Sequence, residues 1–357
     1  MTLARLKWPA LIMAVFLLIV GPADLSGFGV PWSGLKSYGT ILLSRWLVFA
    51  IAAMGVNLIV GYAGQETLAQ AAFLGIGAYF TAITTNLGLP FWMAFLASGA
   101  ITFLVGIILG FPALRVQKHY LAFVTLAFTI FVWLVIRNEE WLTGGTAGIY
   151  VNRPTFFGIS LKPELYFYWF TLGITIGLTF VMWWLLHSPW GRAFTALREN
   201  AIRAESLGID VRGYKLIAFA IGSAYGGLAG ALFAPLVKFV DPSPFALAPS
   251  LLFMLTVVIG GAGTMVGPFV GAAVSMLLPD WLEVATSKIS NPILTHLLSY
   301  LLVYATLVMV MMAFCPTGLV GLFKRLTTRT RRPHADDKGP TLGTVSTRAT
   351  VAGGTTS

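Results

Sequence analysis

The stretch SPWGRAFTALRENAIRAESLGIDVRGYK, Ser188 to Lys215, is a polar island between two long apolar runs. Its charged residues are Arg192, Arg198, Glu199, Arg203, Glu205, Asp210, Arg212 and Lys215. Ser188 or Pro189 can start a helix and Gly208 can end it. Between them Phe194, Leu197, Ala201, Ala204 and Gly208 recur at helical spacing, which predicts one helix with a narrow face of mostly small side chains. Asp210 is placed to cap the helix that follows. A small face suits packing against protein better than sinking into lipid. A solvated connector whose arginines only set membrane topology explains the same pattern equally well.

Everything around the island is apolar. Of 357 residues, 57% are hydrophobic and 10% charged, whereas a soluble domain carries about a quarter charged. The fold class is therefore an all-α polytopic membrane protein. Apolar stretches of crossing length occupy 8–22, 39–61, 67–86, 90–111, 119–137, 165–187, 215–237, 247–265, 267–285 and 296–314. That makes ten spans, or eight full crossings if the Gly- and Pro-rich pair between 247 and 285 are half-helices. The first run follows Arg5 and Lys7 and reads as an uncleaved span, because GPADLSG after it lacks a small-x-small cleavage pattern.

The net charge of +10 does not point to nucleic acid, because the basic residues cluster at the ends of apolar runs. Arg5 and Lys7, Arg115 and Lys118, the island, and Lys324, Arg325, Arg329, Arg331 and Arg332 all fall on one side. The 138–164 loop, with Glu139, Glu140, Arg153, Lys162 and Glu164, falls on the other. The positive-inside rule then puts the N-terminus, the C-terminus and 188–215 in the cytoplasm. Residues 1–326 form the transmembrane domain. Residues 327–357, rich in Thr, Gly and Pro, are expected to be a disordered cytoplasmic tail.

Two further segments carry polar residues. GYAGQETLAQAAFLGIGAYF, Gly61 to Phe80, sets Gln65, Glu66, Thr67 and Gln70 at bilayer depth among Gly61, Gly64, Gly75 and Gly77. Ionisable groups at membrane depth face a cavity or a partner, and a glycine-broken helix can present its backbone to a polar substrate. A surface turn with Glu66 in solvent is the alternative. VVIGGAGTMVGPFVGAAV, Val257 to Val274, repeats G-x-A-G: Gly61, Ala63 and Gly64 correspond to Gly260, Ala262 and Gly263. Matched breaks point to a transport path, although close helix packing through small residues explains them as well. The candidate path residues are Gln65, Glu66, Thr67, Gln70, Gly260, Gly261 and Thr264.

Catalytic constellations are missing. The glycines at 260–267 are followed by Pro268 rather than by the lysine of a phosphate loop. His119, His187, His296 and His334 are scattered, Gly222-Ser223 has no base at a suggestive spacing, and Cys315 is the single cysteine. The sequence reads as no enzyme, with no cofactor or metal of its own.

Six motifs then occur in order: GYAGQETLAQAAFLGIGAYF, LRVQKHYLAFVTLAF (114–128), LTGGTAGI (142–149), the island continued to Gly222, VIGGAGTMVGPFVGA (258–272) and PTGLVGLF (316–323). Together they resemble the permease subunits of branched-chain amino acid ABC importers, nearer the LivM than the LivH branch. The resemblance implies a bacterial inner-membrane importer. Two permeases would pair, the partner being a paralogue rather than a second copy. Two cytoplasmic ATPases would hold ATP and Mg, and a periplasmic binding protein would deliver substrate. It also implies that Arg198 to Gly208 is the coupling segment, with Arg198, Glu199, Ala204, Glu205 and Gly208 carrying the ATPase contact, small face inward. Relatives read GQ-apolar-S-apolar-G followed by His or Gln. Here Glu66 stands for an apolar residue and Ala69 for the glycine, which leaves leucine-type specificity open, since related permeases carry urea, short-chain amides or other amino acids. A stand-alone secondary transporter would need coupling-ion ligands within its spans, and apart from Glu66 the spans offer only Arg45, near the predicted periplasmic end.

Overall fold

A computed structural model describes residues 36–113, 118–151, 153–156, 159–160, 164–286, 309 and 318–321. The span expected at 8–22, all but Met309 of that at 296–314, Arg115, the basic residues at 324–332 and the tail lie outside the described residues. Helix α1 (Lys36–Val56) continues into a wider, π-type turn, Asn57–Tyr62. After a non-helical stretch come α2 (Gln70–Asn86), α3 (Phe91–Ala113), α4 (Lys118–Asn138) and α5 (Glu164–His187). The island forms α6 (Pro189–Glu199) and α7 (Ala201–Ser206), followed by α8 (Val211–Val237), α9 (Leu247–Gly260) and α10 (Gly267–Thr286).

Among the described residues five stretches are long and apolar enough to cross a membrane: Gly39–Tyr62, Phe91–Ala113, Tyr120–Asn138, Glu164–His187 and Val211–Val237. The count expected for the whole chain was eight to ten. The run predicted as a span from 67 is shorter than expected, because its helix begins only at Gln70 and has 17 residues. At 1.5 Å per residue that is about 26 Å, less than the roughly 30 Å of a hydrocarbon core. Of the Gly- and Pro-rich pair, α9 has 14 residues and α10 has 20.

The described residues are mostly helical, as the fold class requires, and short strands occur only in the loops. Strand β1 (Ile149–Tyr150) pairs antiparallel with β4 (Phe239–Val240), Ile149 opposite Val240. Strand β2 (Thr155–Phe156) pairs with β3 (Ile159–Ser160). Loop backbone that must satisfy its own N–H and C=O groups pairs where it can. Two-residue strands carry no alternation that a sequence could show.

Helices α1 and α8 are the inner pair: 78% and 72% of their apolar windows are buried, against 22% for α5. Helices α3, α4 and α5 turn large apolar residues outward, including Leu104 and Ile108, Phe123 and Phe131, and Ile176 and Phe180. That is the pattern of a bundle surrounded by lipid.

The core closes through glycine. Gly222, Gly226 and Gly230 stand four residues apart and share one stripe of α8. A Cβ at Gly230 would lie 2.0 Å from the Leu74 carbonyl oxygen, and one at Gly55 would lie 2.4 Å from that of Gly222. On the neighbouring face the Ser98 hydroxyl of α3 donates to the Gly227 carbonyl at 2.8 Å. Backbones of α1, α2 and α3 thus lie directly on α8. Such close packing replaces the hydrophobic drive that lipid removes between apolar helices.

Loops segregate to the two ends. Gln65 Nε2 donates to the Lys215 carbonyl at 3.0 Å, bringing the 63–69 stretch to the start of α8. Asn86 Nδ2 donates to the Tyr150 carbonyl at 3.0 Å, and Tyr79 to that of Val240 at 3.4 Å, both at the opposite end. Arg153 pairs with Glu164 there, and Lys238 Nζ lies 3.3 Å from the same carboxylate. The island and the 138–164 loop, assigned to opposite sides by charge, lie at opposite ends of the bundle.

A Gly230→Val substitution should lower the melting temperature of the detergent-purified protein through overpacking of about 1–3 kcal/mol. Gly173→Val on α5, where nothing lies within 4 Å of the added carbon, should leave it unchanged.

Candidate functional site

The island starts as the sequence predicts. Ser188 Oγ accepts from the Trp190 amide at 3.2 Å, and Pro189 occupies the first turn, where its missing N–H costs nothing. The expected single helix does not form. Asn200 is extended, with φ −160° and ψ 106°, and its Oδ1 accepts from the Arg203 amide at 3.1 Å to begin α7. The short Asn side chain caps a new helix more readily than it continues an old one. Gly208, at φ +82°, closes the segment, and Asp210 Oδ1 caps α8 by accepting from Arg212 and Gly213, each at 3.1 Å.

The break at Asn200 redirects the small face. Ala193, Phe194 and Leu197 are buried, and Ala204 is 2% exposed, so Ala204 packs on the chain itself rather than standing free for a partner. Ala201 is half-buried and Gly208 exposed. The outward side of α7 carries Ile202, and Leu207 caps its end, each 80% exposed, with Arg203, Glu205 and Ser206 beside them. Glu199 is also exposed.

The second segment is a broken helix whose break runs into the protein. Past the π-type turn, Gln65 N donates to the Ile59 carbonyl at 3.0 Å, and Gly64 takes φ +66°. From Ala63 to Ala69 burial alternates residue by residue, as in a strand. Ala63, Gln65, Thr67 and Ala69 point inward, while Glu66 is half-buried on the other side. Side chains satisfy the freed backbone. Leu68 N donates to Thr125 Oγ1 at 3.0 Å, and Thr129 Oγ1 donates to the Leu68 carbonyl at 2.6 Å. Ala71 N donates to Ser250 Oγ at 3.0 Å, and Gln70 Nε2 donates to the Ala52 carbonyl at 2.8 Å. Gln65, Thr67 and Gln70 are buried within the chain. Their burial leaves Gln65 Oε1 and Gln70 Oε1 as enclosed acceptors with no partner among the described residues.

The third segment, Gly261–Val266, turns between α9 and α10 and meets the first two. Asn57 Oδ1 accepts from Gly263 N at 2.8 Å, and its Nδ2 donates to the Thr264 carbonyl at 2.9 Å. Thr264 Oγ1 in turn donates to the Gly261 carbonyl at 2.8 Å and accepts from Gly267 N at 3.1 Å. A Cβ at Gly61 would stand 2.4 Å from Gly263 N, so the two G-x-A-G segments touch backbone to backbone. Arg198 reaches the same point from the island. Its Nη1 donates to the Gly61 carbonyl, and its Cα and Cγ lie 3.2 Å from where Gly64 would carry a Cβ.

The structure thus joins Arg198 to Gly61, Gly64 and Gly263, in the same turn as Gly261 and Thr264. Gly260 packs one turn away, where a Cβ would meet the Gly267 carbonyl of α10 at 1.9 Å. Glu199, Glu205 and Gly208 remain at the surface, and Gln70 lies deeper in the bundle. Sequence reading missed Asn57, Thr125, Thr129 and Ser250. Asn57 carried a usable signal, an amide inside an apolar run. The hydroxyls carried none, because Ser and Thr are ordinary residues in membrane helices. Among the described residues no group of three or more His, Cys, Asp or Glu side chains could hold a metal.

The family model described as branched-chain amino acid transport system / permease component matches residues 40–311. The chain belongs to this family. Over 261 residues it is 35% identical to the high-affinity branched-chain amino acid transport system permease protein LivM of Escherichia coli. That match covers 66% of this chain and 61% of the relative, so the chain spans about three fifths of its length. The probable branched-chain amino acid transport permease protein LivM of Methanocaldococcus jannaschii is 25% identical over 79% of this chain and 92% of its own. The autoinducer 2 import system permease protein LsrC of Salmonella typhimurium is 25% identical over 65% of this chain and 67% of its own. No solved structure matches. The matched region of the branched-chain permease model contains the broken helix, the island and the α9–α10 turn. It describes a transport component rather than an enzyme.

Removing the hydroxyls that hold the break should destabilise the fold. Thr125→Val orphans the Leu68 N–H and Thr129→Val the Leu68 carbonyl. Each should cost about 1–3 kcal/mol, read as a lower melting temperature in detergent.

Proposed function

We propose that this chain is the inner-membrane permease subunit of an ABC importer for branched-chain or related amino acids. The island faces the cytoplasm and receives a separate ATPase. The observation that carries the reading is the exposed apolar pair Ile202 and Leu207 on a short capped helix at the basic end of the bundle. Large apolar residues offered to solvent among charges suit a protein partner. Within the assigned set Arg198, Glu199, Ala204, Glu205 and Gly208, the structure suggests a division of labour. Glu199 and Glu205 frame the exposed pair, Gly208 ends it, and Ala204 and Arg198 fasten the segment to the bundle.

Two ATPases supply ATP and Mg, a paralogous permease completes the pore, and a periplasmic protein delivers substrate at the end formed by β1, β4 and the Arg153–Glu164–Lys238 group. Closure of the ATPases moves the islands, and packed helices respond as rigid bodies between two arrangements. Gln65, Glu66, Thr67, Gln70, Gly260, Gly261 and Thr264 belong to the moving inner region on the substrate path. The free acceptors of Gln65 and Gln70 suit a substrate carrying N–H groups, which includes an amino acid's ammonium. Greater identity to the branched-chain relative of Escherichia coli, 35%, than to the autoinducer 2 relative, 25%, favours amino acids. Urea or short-chain amides are the second reading, favoured by Glu66 standing where relatives carry an apolar residue.

Ile202→Asp and Leu207→Asp place a charge where an apolar groove would close, without touching the buried core. Each should reduce recovery of the co-expressed ATPase at least about tenfold, equivalent to 1.4 kcal/mol, with an unchanged elution profile for the permease. Full recovery of the ATPase with both variants would rule out this docking surface.

A further inference from the structure

Arg198 is an exposed residue whose working end is engaged inside the protein. It lies in the last turn of α6, two residues before the break at Asn200. Its guanidinium donates to the Gly61 carbonyl, at the point where the helix leaves its regular ladder and carbonyls lose their in-helix donors. A side chain at Gly263 would collide with it, since a Cβ there would sit 2.2 Å from Nη1. The Arg198 backbone leans on Gly64. One arginine therefore occupies space that side chains would need on both G-x-A-G segments, its guanidinium at Gly263 and its Cα, Cβ and Cγ at Gly64. Both are already tied together from the bundle side by Asn57, which is 3% exposed. Asn57 joins the two breaks to each other, whereas Arg198 joins them to the island.

We infer that Arg198 is a positioning residue, a latch that makes the island and both glycine breaks move as one body, rather than a contact with the ATPase. The inference rests on the reading of the island as the ATPase-driven segment. It assigns a route for the movement: from α7 across Asn200 to Arg198, and from its guanidinium to Gly61 and to the turn at Gly263, next to Gln65, Glu66 and Thr264. The planar fork of arginine suits this role. It can hold a carbonyl while packing flat against backbone, which a lysine ammonium does less well.

The test uses the complete importer, co-expressed with its ATPases, partner permease and binding protein and reconstituted in proteoliposomes. With Arg198→Gln the ATPases should still co-purify and basal ATP hydrolysis should persist. Stimulation of hydrolysis by the binding protein should fall about tenfold, within the usual span of coupling energies. Arg198→Lys, which keeps the charge and one donor, should recover part of the stimulation, and it serves as the readable variant if the Gln form does not accumulate. Stimulation equal to wild type in Arg198→Gln overturns the latch and leaves the docking surface intact. Loss of ATPase recovery in Arg198→Gln and Arg198→Lys makes Arg198 a docking contact, which also overturns it. An unsubstituted permease that recovers no ATPase overturns the importer reading and the latch with it.

Discussion

Backbone N–H and C=O groups inside an apolar bundle must find partners within the protein, because no water is present to serve them. The rest of the architecture follows from how this chain meets that demand between Ala63 and Ala69. The helix is interrupted there, so hydroxyls from α4 and α9 supply what the helical ladder would have supplied, while the amide of Gln70 donates to the Ala52 carbonyl of α1. Each of these bonds also fixes a neighbour. Thr125 and Thr129 set the height of α4, Ser250 that of α9, and Gln70 the contact with α1. The break is thus a hub of the fold, and α2 falls short of its predicted span because residues 67–69 belong to the strand-like lining.

Glycine does the complementary work. On α8 it lets three other helices approach to backbone contact, and at Gly61 and Gly263 it lets two interrupted segments touch. The positive φ values at Gly64, Gly261 and Gly263 show that these are turns no ordinary side chain would favour. A site made of backbone and small residues is rigid and closely packed, so a push at one end is transmitted rather than absorbed. This suits a chain whose family transports through the membrane and whose energy source, on the reading proposed above, binds elsewhere.

The island shows where a one-dimensional reading stops. Its start at Ser188, its end at Gly208 and the cap by Asp210 were legible, because caps act through residues two or three positions away. The interruption at Asn200 was not. Asparagine is tolerated within helices as well as at their starts, and its neighbours on both sides are good helix formers. With the interruption, Ala204 turns inward and Ile202 and Leu207 outward, which reverses the face that helical periodicity suggested for the partner.

The sequence by itself determined the membrane class, the opposite placement of the island and the 138–164 loop, and the three polar segments. Those properties reside in composition, in charge at the ends of apolar runs and in local capping chemistry. Only the tertiary structure decided that the three segments meet. Arg198 and Gly61 are 137 residues apart, and Asn57 and Gly263 are 206 apart. No local pattern encodes such contacts, because they depend on which helix backbones can approach closely enough. That approach is set by glycines whose effect is the absence of a side chain.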